Sequence, residues 1–101
     1  MPHIGAKRLW SFKHIDEAKG REEHKVWEVP RDMKNPDGIR YRLVYIQAGQ
    51  KTPAVLYDNH YPKGHHKHIN GREIAYEFSG LENLIRDFER DVEAFDENAR
   101  N

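Results

Sequence analysis

The chain has 101 residues, of which 37% are hydrophobic and 34% charged, with a net charge of zero and no cysteine. Because this length is typical of one domain, residues 1–101 are expected to form a single domain with a modest core. The lack of cysteine excludes a disulfide scaffold, a thiolate zinc site and a cysteine nucleophile. No apolar run approaches the roughly 20 residues that span a bilayer, and the N-terminal residues lack the apolar segment of a secretory signal. We therefore expect a soluble cytoplasmic protein that does not contact membranes.

The zero net charge conceals two regions of opposite sign. Residues 82–101 carry seven acids and three arginines, a balance of −4. Residues 1–81 carry ten acids and fourteen lysines or arginines, a balance of +4. This separation is compatible with a basic working face on one part of the fold and an acidic helix on another. The alternative is that these charges only interact with solvent.

Most of the chain before residue 79 predicts β-strands. The segments that are rich in aromatic and β-branched residues or alternate in polarity are 8–15, 25–29, 40–46 and 72–78. A charged turn around Gly20 separates the first two, and the proline- and glycine-containing segment 30–38 predicts a loop. A turn at 48–51 followed by a returning apolar segment predicts a hairpin over 40–58.

The C-terminal segment predicts an amphipathic helix over about residues 80–96. Its apolar residues recur at helical spacing on one face: Leu81, Leu84, Ile85, Phe88, Val92 and Phe95. Ser79 and Glu82 form a capping box at its start. The predicted fold class is therefore α+β, an antiparallel meander of about five strands with one face covered by this helix.

Four of the seven histidines lie in one segment, YDNHYPKGHHKH, which runs from Tyr57 to His68. Since this segment connects two predicted strands, residues of about 59–71 are expected to form a surface loop held at both ends. Loops of this length in compact domains are usually functional or mobile. The remaining histidines lie among charged residues and are expected to be exposed: His3, His14 and His24.

The histidine segment carries the residue types needed to cleave RNA by acid–base catalysis. Because histidine titrates near neutral pH, it can act as the base for a 2′-hydroxyl and as the acid for a leaving 5′-oxygen. His66 and His68 are two residues apart, so in an extended segment both point to one side and Lys67 points away. Asp58 could orient one ring by accepting its second N–H. We therefore predict His66, His68 and Asp58 as catalytic residues, with no metal or other cofactor.

Cleavage of a phosphodiester also needs positive charge near the transition state. The residues predicted to bind RNA or phosphate are Lys63, Lys67, Arg72, Arg42, Asn59 and Tyr57. Arg40 and Arg42 would leave the 40–46 strand on the face opposite Tyr41 and Leu43, the face that the histidine segment could overlook. The alternative is an exposed strand face that binds no ligand.

Two other hypotheses use the same segment. His66 and His68, together with His60, His65 or Asp58, could supply three ligands for zinc or nickel and make a metal-dependent hydrolase. No recognised metal-binding spacing is present, however. The remaining hypothesis is a polar loop with incidental histidines in a protein that acts by binding rather than by catalysis.

Six short motifs between residues 41 and 95 carry a family resemblance. They are Tyr41-Arg42-Leu43, Tyr57-Asp58-Asn59, Lys63-Gly64-His65-His66-Lys67-His68, Gly71-Arg72-Glu73, Tyr76-Glu77-Phe78 and Asp91-Val92-Glu93. A chain with these motifs resembles the TumE family, small toxins of bacterial and archaeal toxin–antitoxin pairs. The first forty residues match only in character, and His65 stands where the family often has an acid.

The resemblance implies a growth-inhibiting toxin that is neutralised by a cognate antitoxin, typically a helix-turn-helix protein. It is also consistent with RNA as the target. Combined with the histidine segment, it predicts a metal-independent endoribonuclease toxin. The alternatives are a non-catalytic inhibitor bound by its antitoxin, or a metal-dependent hydrolase. Because the edge strands of a small sheet invite pairing, a homodimer is a further hypothesis.

Overall fold

The computed structural model describes residues 6–100. Its strands are β1 (Lys7–Asp16), β2 (Gly20–Glu28), β3 (Ile39–Gln47), β4 (Val55–Asp58), β5 (His66–Ile69) and β6 (Arg72–Ala75). The helix α1 spans Leu81–Arg100. Within the described residues, the structure contains no helix with the length and apolar character needed to cross a bilayer.

The strands form one antiparallel sheet in which each strand pairs with its neighbours in chain order. The predicted α+β fold is confirmed, with six strands where about five were expected. β3 and β4 form the hairpin that the sequence predicts over 40–58. The helix begins at Leu81, close to its predicted start, and continues beyond residue 96.

The additional strand, β5, lies inside the segment that the sequence predicts as one loop, 59–71. β5 and β6 are joined by Asn70 and Gly71, whose φ angles are 51° and 82°. Positive φ at both central residues is the requirement of a type I′ hairpin turn, and Asn-Gly is the dipeptide that meets it best. The loop prediction is therefore corrected to the shorter stretch 59–65. β6 also ends at Ala75, three residues before the predicted end.

The β1–β2 hairpin is longer than predicted because β2 begins at Gly20 rather than at residue 25. Gly20 has a φ of 129°, and a Cβ atom there would lie 2.1 Å from the carbonyl oxygen of Ile46. Only glycine lets the hairpin approach the end of β3 this closely.

The helix covers one face of the sheet, which we call the covered face. Residues paired directly across two antiparallel strands share a face, so Leu43 and its partner Tyr57 both point towards α1. The buried cluster comprises Val26, Tyr41, Leu43, Tyr45, Ala54, Val55, Tyr57, Leu84, Phe88 and Val92. Each large apolar side chain in it contributes about 1.5–3 kcal/mol by leaving water. The opposite side of the sheet, which we call the open face, carries no helix among the described residues.

Three tyrosines donate hydroxyl hydrogen bonds to three aspartates of α1. The pairs are Tyr45–Asp96 at 2.5 Å, Tyr57–Asp91, and Tyr76–Asp87 at 2.6 Å. Burial, together with the facing carboxylate, raises the pKa of each hydroxyl above its ordinary value. Asp91 also accepts a hydrogen bond from Lys67 Nζ at 2.9 Å. Part of the negative charge of the helix therefore anchors it to the sheet.

The three histidines outside the histidine segment differ in their surroundings. His14 is exposed, as predicted, whereas the prediction for His24 is wrong, because this side chain is only 2% exposed. His3 lies outside the described residues. The polar neighbours of His24 in the sequence suggested exposure, but α1 packs over this part of β2 and covers the ring.

His24 joins three elements of the fold through its two ring nitrogens. Trp10 donates its indole N–H to Nδ1 at 3.1 Å, so in the neutral ring the proton lies on Nε2. That nitrogen faces Glu22 at 2.7 Å and Glu89 of α1 at 3.3 Å. Burial lowers the pKa of His24, but the two carboxylates outweigh it and raise the pKa overall. The ring thus connects β1, β2 and the helix.

Tyr57→Phe is expected to lower the free energy of unfolding by about 1.5–3 kcal/mol, since it removes a hydrogen bond to a carboxylate and keeps the buried ring. Urea denaturation followed by circular dichroism measures this change. Tyr61→Phe is the matched control, because Tyr61 is 50% exposed and its substitution should cost less than about 0.5 kcal/mol. Equal effects of the two substitutions would show that the hydroxyl of Tyr57 does not anchor the helix.

Stability is also expected to fall as the pH rises above about 10, the ordinary pKa of tyrosine. The unfolded chain releases phenolic protons there, while Tyr45, Tyr57 and Tyr76 retain them in the folded state because their pKa values are raised. Unfolding at high pH therefore releases protons and becomes more favourable. Unfolding free energies measured between about pH 8 and 11 test this, and Tyr57→Phe should make the decline shallower. A stability independent of pH over this range would refute the assignment.

Candidate active site

The open face brings together residues from four neighbouring strands. Arg42 pairs with Asp58, and Asp58 pairs with His66, so the three side chains lie in one row across the sheet. Lys25 of β2 pairs with Arg42 and continues this row. His68 follows His66 on the same side of β5, because side chains alternate along a strand. The face that α1 does not cover therefore carries both histidines and both cations, with Asp58 between Arg42 and His66.

His66 and His68 lie next to each other on β5. Their ring centroids are 5.2 Å apart, and the ring planes are nearly perpendicular. The Nδ1 atom of His66 lies 2.8 Å from the carbonyl oxygen of Gly64. Because a carbonyl can only accept a hydrogen bond, Nδ1 carries the proton, and the lone pair of the neutral ring is on Nε2. Gly64 therefore fixes both the tautomer and the orientation of His66.

His68 has an acidic neighbour that the sequence analysis missed. Glu73 of β6 pairs directly with His68, and its Oε1 lies 3.6 Å from His68 Nε2. Lys63 Nζ contacts the same oxygen at 2.5 Å, and this hydrogen bond lowers the pKa of Glu73. The Asn70-Gly71 turn sets this pairing, so the Asn-Gly dipeptide was the sequence signal that could have identified Glu73.

The cations of the open face are concentrated on β2 and β3. Arg42 and Lys25 are exposed and directly opposite each other, although like charges in this position are unfavourable. Neither forms an ion pair with another residue between 6 and 97. Arg40 donates a hydrogen bond to His60 Nδ1 at 2.6 Å. These cations give the open face a positively charged region on β2 and β3.

Asp58 lies beside His66 in the row but has a different hydrogen-bond partner. Its Oδ1 accepts the backbone N–H of His60 at 2.6 Å and so closes a turn at the end of β4. The orienting role that the sequence assigned to Asp58 is performed for His66 by the carbonyl of Gly64. Asp58 contributes negative charge next to the ring rather than a hydrogen bond to it.

Three of the predicted phosphate-binding residues are engaged elsewhere. Lys67 points to the covered face and pairs with Asp91, and Tyr57 is fully buried beneath the helix. Asn59 is buried and holds the β3 backbone, accepting from the N–H of Tyr41 and donating to the carbonyl of Ile39, each at 2.9 Å. We leave Lys67, Tyr57 and Asn59 out of the candidate site, since none of them reaches the open face.

Of the other three predicted phosphate-binding residues, Arg42 lies on the open face, as described above, and Lys63 and Arg72 occupy different surroundings. Lys63 lies beside the histidine pair through its contact with Glu73. Arg72 pairs with Ile69, whose side chain packs against the core, so Arg72 projects from the covered side. Lys63 belongs to the candidate site and Arg72 does not.

His65 holds the stretch 59–65 against the sheet. Its Nε2 lies 2.7 Å from Asp37 Oδ2, and its Nδ1 lies 2.9 Å from the hydroxyl of Tyr41. The ring stacks on Phe78 with a centroid distance of 4.8 Å and an interplanar angle of 3°. These contacts position Gly64, and through it His66, but they leave His65 outside the open face.

Among the residues that the structure describes, two groups of side chains have the donor types and spacing that a metal ion needs. In the first, one donor atom from each of His66, His68 and Glu73 lies within 4.8 Å of the others. Glu73 takes the position for which the sequence analysis considered His60, His65 or Asp58. The second group lies on the covered face and comprises Glu22, His24 and Glu89.

Comparison with known proteins identifies the family. Residues 11–96 match the family described as Toxin TumE, which confirms the resemblance seen in the sequence motifs. The matched region contains β2 to β6, most of the helix and all the residues of the candidate site. Searches of curated proteins and of solved structures found no match. A toxin of this kind implies a cognate antitoxin as its partner. Since the match covers most of its length, the chain belongs to the TumE toxin family.

Proposed function

We propose that this toxin is a metal-independent endoribonuclease that cleaves RNA on the open face, with His66 as base and His68 as acid. The observation that carries this proposal is the pair of adjacent imidazole rings, 5.2 Å apart, on a surface with unpaired cations. Histidine is suited to both roles at neutral pH. A toxin that cleaves RNA would stop growth at low concentration, because each molecule turns over many substrates.

The proposed reaction is an internal transfer of one phosphodiester. His66 Nε2 removes the proton from a ribose 2′-hydroxyl as its oxygen attacks the adjacent phosphorus. The bond from phosphorus to the 5′-oxygen breaks, and His68 gives a proton to that oxygen. The products are a 2′,3′-cyclic phosphate and a 5′-hydroxyl end, so atoms and protons balance without water or a metal.

The surroundings of the two rings support this division of roles. The contact with Gly64 leaves a lone pair on Nε2 of His66, which is the form that a base needs. His68 lies beside the carboxylate of Glu73, with Nε2 3.6 Å from Oε1, and its imidazolium form can give a proton to the leaving oxygen. The tautomer of His66 therefore suits the base, and His68 is left as the acid.

Cations on the open face would bind the RNA backbone. Arg42 is two strands away from His66 in the same row, about 10 Å at the backbone, and its long side chain shortens this gap. Lys25 and Arg40 extend the positive surface away from the histidines, and Lys63 lies on their other side. Charge placed in advance around the phosphate stabilises the transition state more than it stabilises the substrate.

For the antitoxin, we propose a helix-turn-helix protein that meets the toxin in the cytoplasm. The family resemblance supports the antitoxin type. β1 is the first strand of the sheet, and its apolar side chains Leu9 and Ile15 are 42% and 64% exposed. An exposed apolar edge strand is a ready site for pairing with another chain, so this edge suits the antitoxin, and a homodimer through it is the competing arrangement.

A second candidate function is metal-dependent hydrolysis, favoured by the cluster of His66, His68 and Glu73. Two imidazoles and a carboxylate with open coordination positions can hold a catalytic ion. The effect of EDTA on RNA cleavage distinguishes the two mechanisms. Cleavage that persists in excess EDTA excludes the metal mechanism, and cleavage that EDTA abolishes and one added ion restores excludes the metal-free one.

His66→Ala and His68→Ala are each expected to reduce RNA cleavage by at least about 100-fold, the contribution of one general acid or base. Labelled RNA incubated with purified toxin in EDTA measures this loss, and growth after induction measures toxicity. His14→Ala is the matched control, because His14 is exposed on a distant strand, and should retain full activity. Circular dichroism shows that the variants are folded. Cleavage at the wild-type rate by both site variants would remove the pair from the mechanism.

Arg42→Gln is expected to weaken RNA binding without changing the fold. Measured in the His66→Ala background, binding is separated from cleavage, and each lost phosphate contact should reduce the salt-dependence slope by about 0.7. Arg86→Gln is the matched control, since Arg86 is an exposed arginine of α1. If both arginine variants bind RNA like the parent protein at every salt concentration, the open face is not the RNA-binding surface.

A further inference from the structure

We propose that His66, His68 and Glu73 form a binding site for Zn²⁺ or a chemically similar divalent ion, and that the bound ion blocks the toxin. The binding site stands on geometry alone, whereas the blocking effect rests on the proposed function. The two parts therefore need separate measurements.

The donor atoms are close to the spacing that zinc requires. One donor of each residue lies within 4.8 Å of the others, and His68 Nε2 is 3.6 Å from Glu73 Oε1. Tetrahedral zinc with bonds of about 2.0–2.1 Å places its ligand atoms roughly 3.3 Å apart. Small rotations of side chains close the remaining distance. The backbone beneath them is a hydrogen-bonded hairpin, so the ligands are presented by a rigid scaffold.

His66 already has the hydrogen bond that a metal-binding histidine usually makes. Such a ligand commonly donates its second ring N–H to a carbonyl or a carboxylate, which fixes the tautomer and aims the lone pair at the ion. The carbonyl of Gly64 accepts this bond from His66 Nδ1 at 2.8 Å. Nε2 is therefore the nitrogen of His66 that is available to the ion, and any proton on the ligating nitrogen of His68 must leave it when the ion binds.

Lys63 occupies the carboxylate that the ion would use. Its ammonium group lies 2.5 Å from Glu73 Oε1, and both side chains are about half exposed. A divalent ion must displace this lysine, since one oxygen cannot serve both cations at full strength. The lysine therefore weakens binding of the ion, and its removal should strengthen it.

The other cluster of the same donor types provides an internal contrast. In the neutral ring of His24 the proton lies on Nε2, because Trp10 donates to Nδ1, and Nε2 is the nitrogen that faces Glu22 and Glu89. A metal ion there would have to displace that proton inside a buried hydrogen-bond network. This cluster is therefore closed to metal ions, although its composition resembles that of the open-face cluster.

Binding at the open-face cluster would stop the proposed reaction. An ion held by both rings takes the lone pair with which His66 would accept a proton, and it keeps His68 from the imidazolium form that would donate one, so neither step can occur. Imidazole and carboxylate donors together favour zinc and its first-row neighbours over magnesium or calcium. The structure thus predicts inhibition by zinc and no comparable inhibition by magnesium.

Titration of the purified toxin with Zn²⁺ against a chromophoric chelator tests the site. We expect one site per chain, at least tenfold weaker in His66→Ala and in Glu73→Gln because each removes a ligand. Lys63→Ala should bind about two- to fivefold tighter, the range expected when one exposed ion pair is lost. Glu89→Gln, in the closed cluster, is the matched control and should bind like wild type. Affinity that is unchanged by all the substitutions would show adventitious binding and overturn the site.

Cleavage of labelled RNA, started in EDTA and then supplied with excess zinc or magnesium, tests the blocking effect. Loss of cleavage with zinc but not with magnesium supports it. Stimulation by zinc would overturn it, even if the titration confirms the site. An absence of cleavage under every condition, with zinc binding intact, would refute the endoribonuclease and leave the metal site standing.

Discussion

The attachment of α1 to the sheet depends on a set of phenol–carboxylate hydrogen bonds. The pairs are Tyr45–Asp96, Tyr57–Asp91 and Tyr76–Asp87. Carboxylates next to a core are costly unless donors meet them, and tyrosine fills apolar space with its ring while its hydroxyl reaches a polar partner. Because the donors and the apolar contacts of the helix lie on the same side of the sheet, the helix packs on that side and not on the other.

The packing of α1 on one face of the sheet affects where the charged side chains of this neutral chain lie. The aspartates of α1 are directed to the covered face, where Lys67 joins Asp91, whereas Arg42 and Lys25 project from the open face. The acidic helix and these two cations thus lie on opposite sides of the sheet. The proposed RNA-binding surface is therefore separate from the surface that anchors the helix.

The four residues of β5 contribute side chains to both faces of the sheet. Lys67 and Ile69 serve the covered face, one by pairing with the helix and the other by packing, while His66 and His68 serve the open face. The strand is held on one side by β4 and on the other by the tight Asn70-Gly71 hairpin. Histidines on a rigid strand are placed more reliably than histidines on a mobile loop.

Local periodicity in the sequence was sufficient to predict the helix, most of the strands and the fact that His66 and His68 point to the same side. A 3.6- or 2-residue repeat follows directly from the geometry of the backbone. It also placed Arg42 on the face opposite Leu43. The partners of these residues were decided by tertiary structure: Glu73 beside His68, Lys25 beside Arg42, and α1 over His24. A repeat reports which way a side chain points but not which strand or helix lies next to it. The packing of the whole sheet decides which elements become neighbours. In this fold it directs Lys67, Tyr57 and Asn59 away from the candidate site.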